Sequence, residues 1–193
     1  MNRKIILAST SPRRKEILAK TGLIFEVQES GYQENMNLKM SPEKLAEYLS
    51  REKAKAVAMK NPNDVIIIAA DTFVVYKNKK LGKPKDKADA RKMLVMLSGK
   101  QHNVISGVTI IDTNSGRLLS FHEITKVFMK KLSPTAIDNY IATGEPLDKA
   151  GGYALQERGA IFIKKIDGDF FNVIGIPLGK LVEKLKLFSI EIF

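Results

Sequence analysis

Two arginines follow a run of small hydroxyl residues in Leu7-Ala8-Ser9-Thr10-Ser11-Pro12-Arg13-Arg14. An apolar run precedes them, and Ser11-Pro12 is a helix-opening pair with Ser as N-cap, so a strand runs into a helix N-terminus here. Helix N-termini expose unpaired N–H groups and partial positive charge, which suits phosphate. Arg13 and Arg14 add forked donors that match phosphate oxygens. The plainer alternative is a surface helix start with two solvated arginines. Asp71 follows the apolar run Val65 to Ala70. A carboxylate at the carboxyl end of a buried strand lies where open α/β sheets bind ligands. It can hold a divalent metal, deprotonate an attacking water, or simply cap a loop.

Three further segments carry chemistry. In Leu81-Gly82-Lys83-Pro84, Gly lets backbone approach a ligand and Lys83 supplies a point charge for phosphate. A basic turn before a helix is the competing reading, and no G-x-x-x-x-G-K-[ST] pattern is present. Gly144 to Gln156 packs turn-formers, charge and a Gly pair into one long loop ending in Tyr153 and Gln156. Long loops in compact domains tend to be functional, and the Gln156 amide can read a base edge by donating and accepting together. Asp167-Gly168-Asp169 precedes Asn172 and Gly175-Ile176-Pro177. Its acids either hold metal or form an Asp-Gly turn, and the turn is favoured for Asp167.

The elements that position these residues alternate. Strands are expected over Lys4 to Ser9, Phe25 to Gln28, Val65 to Ala70, Val104 to Asp112, Leu118 to Met129 and Ala160 to Ile166. Helices are expected from Ser11-Pro12 to Gly22, from Ser41-Pro42 with Leu45, Ala46, Leu49 and Ala56 on its apolar face, over Asp89 to Leu97, over Pro134 to Thr143 and over Pro177 to Leu187. Asn114-Ser115-Gly116 marks a hairpin between two of the strands. The pattern is α/β with a mixed sheet flanked by helices. No repeat or linker divides the 193 residues, so one domain over 1–193 is the economical reading.

Composition narrows the field. The formal charge of +11 favours anionic partners. The lysines at 77, 79, 80, 85 and 87 are expected mostly to face water. The absence of Cys excludes a disulfide framework and a thiol nucleophile, and two His rule out a histidine-rich metal site. No apolar run reaches membrane-spanning length, and the short run at the start breaks too early for a signal peptide. The cytoplasm is the expected compartment.

In this order, Leu7-Ala8-Ser9 through Arg14, Asp71-Thr72, Gly82-Lys83-Pro84, Ser98-Gly99 with His102, Gly144-Glu145-Pro146 through Tyr153, and Asp167-Gly168-Asp169 with Gly175-Ile176-Pro177-Leu178 resemble the signature set of the Maf family of nucleotide pyrophosphatases. The resemblance spans roughly Ile5 to Leu181. It implies a two-lobed fold related to the inosine triphosphate pyrophosphatases, with the nucleotide in a central cleft. It also implies metal-dependent cleavage between the α- and β-phosphates, with Mg²⁺ or Mn²⁺ as cofactor. It implies that Asp71 is the proton acceptor and that Ser9, Arg13, Arg14, Lys53 and Lys83 line the phosphate site. Glu34 is implied near metal and water, with Asp71 as the other metal-side carboxylate. Arg13, Thr72 and Gln156 match the base-specificity positions, in the combination of the branch acting on dTTP and UTP. The branch acting on 7-methyl-GTP carries different residue types there.

The implied partner is a nucleoside triphosphate, neither membrane nor nucleic acid, and a homodimer stays open. Two positions depart from the family pattern: Glu157 where Gly usually follows the Gln, and Ser106 where Thr is commoner. Glu157 puts a charge and a Cβ beside the presumed base reader. Two rival readings are a house-cleaning pyrophosphatase for modified or purine nucleotides, and a nucleotide- or nucleic-acid-binding division regulator without turnover.

Overall fold

In the computed structural model, which describes residues 3–193, seven strands form one mixed sheet in the order β2-β1-β3-β5-β6-β7, with β4 paired to β3. The strands are β1 (Lys4–Leu7), β2 (Glu26–Val27), β3 (Val65–Tyr76), β4 (Lys79–Leu81), β5 (Gln101–Asp112), β6 (Leu118–Met129) and β7 (Ile163–Asp167). β1 is parallel to β2 and β3, whereas the β3–β4 and β6–β7 pairs are antiparallel. The helices are α1 (Pro12–Ala19), α2 (Pro42–Ala58), α3 (Lys87–Leu97), α4 (Pro134–Ala142), α5 (Phe170–Ile174) and α6 (Leu178–Leu185).

The chain divides into two compact units. Among the described residues, the first comprises 3–71, Ser106–Glu123 and Gly175–Phe193, and the second Thr72–Ile105 and Ile124–Ile174. β3, β5 and β6 contribute residues to both.

In the first unit α2 covers one face of the sheet. Its side chains at 46, 50, 53 and 57 form a stripe at helical spacing. Odd-numbered residues of β3 share one strand face, and Val65, Ile67 and Ala69 pack there against Ala54 and Val57 of α2 with Ile6, Ala8 and Ile111. The approach is closest at β5: a Cβ on Gly107 would lie 2.1 Å from the backbone carbonyl of Ala46. Next along the stripe, the Ser50 hydroxyl meets Thr109 at 2.8 Å, and Thr109 meets Ser120 at 2.8 Å. In the second unit α3, α4 and the loop after α4 enclose a separate core around Leu94, Leu97, Val104, Ile137, Tyr140, Tyr153 and Phe162.

Several expectations need correction. β3 does not stop at Ala70. The β-prone run Phe73-Val74-Val75-Tyr76 carries it on to pair with β4, so Asp71 lies inside a twelve-residue strand. Ala56 is only half-buried, and the buried stripe of α2 includes Lys53 instead. Ser11 makes no side-chain cap bond at α1. The segment Arg158–Phe162 is a 3-10 turn, and the strand begins at Ile163. α1 ends at Ala19, with Gly22 taking the left-handed conformation (φ 77°) three residues later.

Candidate active site

Face parity places Asp71. It follows Ile67 and Ala69 on the odd face of β3, so it meets α2 where Lys53 sits on the buried stripe. Asp71 is 4% exposed and Lys53 7%. The Lys53 ammonium lies 2.5 Å from Asp71 Oδ1 and 2.5 Å from Glu34 Oε1. A buried carboxylate without compensation is costly, and the ammonium provides that compensation. Glu34 comes from the irregular segment between β2 and α2 and is half exposed.

The helix N-terminus supplies the second part of the cluster. Arg14 donates from Nη1 to Ser9 Oγ (3.2 Å) and from Nε to the carbonyl of Gly175 (3.3 Å). Ser9 Oγ also accepts from the Ser11 amide at 3.3 Å. Burial pushes the Arg14 guanidinium below its usual value, Asp71 and Glu34 raise it, and Arg13 lowers it further. Ser9, Arg13, Arg14, Glu34, Lys53 and Asp71 thus form one electrostatic cluster within the first unit.

Thr72, Lys83 and Gln156 belong to the second unit. Lys83 and Gln156 are exposed and Thr72 is half-buried. The lysines at 77, 79, 85 and 87 are exposed too, as their run suggested, while Lys80 is half-buried. Glu157 points its carboxylate at the buried Lys149, whose ammonium lies 3.2 Å from Glu157 and 2.5 Å from Asp148. The extra charge beside Gln156 is therefore paired. Asp169 accepts the Asn172 amide at 2.8 Å and caps α5, which accounts for that acid.

The hard oxygen donors of Asp71 and Glu34 suit Mg²⁺ or Mn²⁺, and their convergence on one ammonium marks a position that favours positive charge. No group of three or more metal-binding side chains occurs among the described residues. Two carboxylates would leave the remaining positions of such a cation to water and phosphate oxygens, as is usual for Mg²⁺.

Sequence reasoning from residue types missed Lys53, which a lysine inside an apolar helical stripe signals. It also missed the Gly175 carbonyl that orients Arg14 and the buried Lys149.

A family model described as Maf-like protein matches residues 4–188. The chain is 50% identical over 190 residues to a dTTP/UTP pyrophosphatase of Alkaliphilus metalliredigens, covering 98% of each chain. It is 46% identical to one of Bacillus pumilus, covering 98% of this chain and 99% of that one. The Staphylococcus aureus Ham1 protein shares the fold at a TM-score of 0.56 and 13% identity, over 97% of this chain and 100% of that one. The matching region contains every residue of the cluster, and the chain belongs to the Maf-like protein family.

Proposed function

We propose that this chain is a nucleoside triphosphate pyrophosphatase that hydrolyses dTTP and UTP to the monophosphate and pyrophosphate. The observation that carries the proposal is the buried Asp71–Lys53 pair beside Arg14 and Ser9. A protein that only bound polyanions would have no use for a buried carboxylate among cations. The names of the full-length relatives support the substrate.

Cleaving a phosphoanhydride requires an aligned water and neutralised charge more than covalent help. A water oxygen bonds to the α-phosphorus, the α–β anhydride bond breaks, pyrophosphate leaves, and Asp71 accepts the proton of the water. Lys53 holds Asp71 in place. Ser9 and the Gly175 carbonyl fix Arg14, and Arg13 and Arg14 bind phosphate oxygens.

Within the cluster three cations face two carboxylates, a surplus of one charge that falls short of a triphosphate. Lys83 and a divalent cation supply the remainder in this reading. Glu34 and Asp71 would hold that cation, which neutralises phosphate charge and polarises water when bound. Free nucleoside triphosphates are the substrates, so the cytoplasm is the compartment proposed; no helix among the described residues is long and apolar enough to cross a membrane.

Turnover of eight common nucleoside triphosphates, with Mg²⁺ and with Mn²⁺, tests the assignment by detecting monophosphate and pyrophosphate. Release of diphosphate and inorganic phosphate, or no turnover at all, would overturn it. Changing Arg13, Arg14 or Lys83 to Ala should each weaken kcat/KM by about 1.5–3 kcal/mol, the usual cost of a lost charged hydrogen bond. Duplex DNA binding at near-physiological salt that disappears in these variants would instead favour the division-regulator reading.

Base choice is proposed to rest on Gln156, with Arg13 and Thr72. An amide offers an acceptor to the N3–H of uracil or thymine and a donor to a ring carbonyl. Cytosine presents the reverse pattern, and an unpaired buried group costs about 1–3 kcal/mol, so preference over CTP should reach about tenfold or more. The thymine methyl adds only an apolar contact, so dTTP and UTP should differ less from each other than from CTP. Gln156→Glu should slow both and narrow the gap to CTP, because a carboxylate accepts but cannot donate. Equal wild-type kcat/KM for UTP, dTTP and CTP would sink the base-edge reading.

A further inference from the structure

His102 and Tyr153 are two buried rings of the second unit, 2% and 5% exposed. The His102 Nε2 and the Tyr153 hydroxyl are 2.6 Å apart, and the rings meet edge-on with centroids 5.4 Å apart. His102 Nδ1 is buried and has no hydrogen-bond partner among the described residues. Whichever nitrogen carries the proton, one side of the ring is left unsatisfied. A buried orphan costs at least as much as one hydrogen bond returns. Two phenylalanines would pack there without that cost, so the pair is poorly explained as a device for stability alone. Burial also pushes the imidazole down to about 4, which keeps it neutral near pH 7.

What the pair holds is the turn before Tyr153. Gly151 and Gly152 both take left-handed backbone (φ 71° and 76°), and a Cβ on Gly151 would lie 2.8 Å from the Val74 side chain. Only glycine lets the chain pass there. In that position the Gly151 amide donates to the carbonyl of Gly82 at 3.0 Å. Gly82 immediately precedes Lys83, and Tyr153 stands three residues before Gln156. Lys83 and Gln156 are themselves exposed, so their placement depends on the backbone that carries them.

We propose that His102 is a positioning residue: through Tyr153 it locks the Gly151-Gly152 turn, and that turn sets both the Lys83 backbone and the start of the segment bearing Gln156. The proposal rests on the nucleotide reading above, in which those two residues contact phosphate and base. It gives the Ser98-Gly99…His102 motif a role that does not require His102 to touch substrate.

Tyr153→Phe keeps the ring and removes only the hydroxyl bond. The variant should raise KM for UTP about three- to tenfold and shrink the UTP-over-CTP preference by a similar factor, with kcat within about twofold. His102→Phe should do the same, and His102→Gln, whose amide reaches the Nε2 position, should restore most of the loss. The double variant His102→Phe/Tyr153→Phe leaves no buried polar orphan and guards against a folding defect. It should regain thermal stability while KM and selectivity stay impaired. If these variants shift Tm but leave KM and the UTP/CTP ratio within twofold of wild type, the pair is structural only and the proposal is wrong.

Gln156→Ala runs alongside. Should it leave the ratio untouched, the base reading fails, and amide exchange at Gly151 in Tyr153→Phe then decides the positioning claim. Faster exchange together with a raised KM for UTP sustains it, and unchanged exchange overturns it.

Discussion

Replacing Asp71 with Asn is expected to lower turnover of dTTP and UTP by about 10²–10⁴-fold, the usual loss when a general base is removed. The amide is nearly the same shape and keeps an oxygen at the Oδ1 position, where Lys53 donates. Lys53 also retains Glu34 at 2.5 Å, so no buried ammonium is left without a partner. The fold should therefore survive, and Tm should move by only a few degrees. That combination separates a chemical loss from a structural one. Retention of more than a third of wild-type activity by the folded variant would remove Asp71 from its proposed role. The variants at Arg13, Arg14 and Lys83 should behave differently: in the proposed reading they weaken phosphate binding and charge stabilisation, whereas the Asp71 variant loses the proposed proton acceptor.

Gly107→Ala should produce the largest loss of stability. In most strands this change is favourable, since glycine in a strand interior is worth roughly 0.5–1 kcal/mol less than alanine. Here the added methyl would lie 2.1 Å from the carbonyl carbon and oxygen of Ala46, which belong to helix backbone and cannot rotate away. α2 would have to lift off β5, breaking the Ser50–Thr109 contact next to it. Overpacking costs typically 1–3 kcal/mol, and a clash with backbone belongs at the upper end, about 3 kcal/mol. For a chain of this length that corresponds to a fall in Tm of about 6–12 °C. Activity measured well below Tm should fall too, because α2 carries Lys53. A melting temperature within 2 °C of wild type would show that α2 does not need this close approach.

The local parts of the site were legible in sequence. Pro12, Arg13 and Arg14 follow from an apolar run entering a helix, and Ser41-Pro42 marks the start of α2, where Ser41 Oγ accepts the Lys44 amide. Lys53 and Glu34 entered only through resemblance, because their meeting with Asp71 depends on how α2 crosses the sheet. A clue was present all the same. Lys53 interrupts the stripe Leu45, Ala46, Leu49, Ser50, Ala54, Val57, where a lysine needs a buried partner. The end of β3 was misjudged because Asp71-Thr72 looks like a break. Phe73 to Tyr76 restore strand character, and Lys77 and Asn78, both at positive φ, make the actual turn. The His102–Tyr153 bond spans 51 residues, and no local pattern encodes a contact of that range.

The order in which a ribosome delivers this chain bears on the site. Ser9, Arg13 and Arg14 are made before Lys53 and Asp71. The Arg14 guanidinium is held partly by the carbonyl of Gly175, 161 residues later, and residues 175–193 belong to the same compact unit as Arg14. Synthesis proceeds at roughly 5–20 residues per second, so the early segment spends about 8–30 s without its closing piece. During that interval the stripe of α2 and the apolar β3 have neighbours but no finished unit. Arg14 thus acquires its final geometry only after Gly175 has been made, and a nascent chain stalled before Gly175 has the cluster's residues without that hydrogen bond.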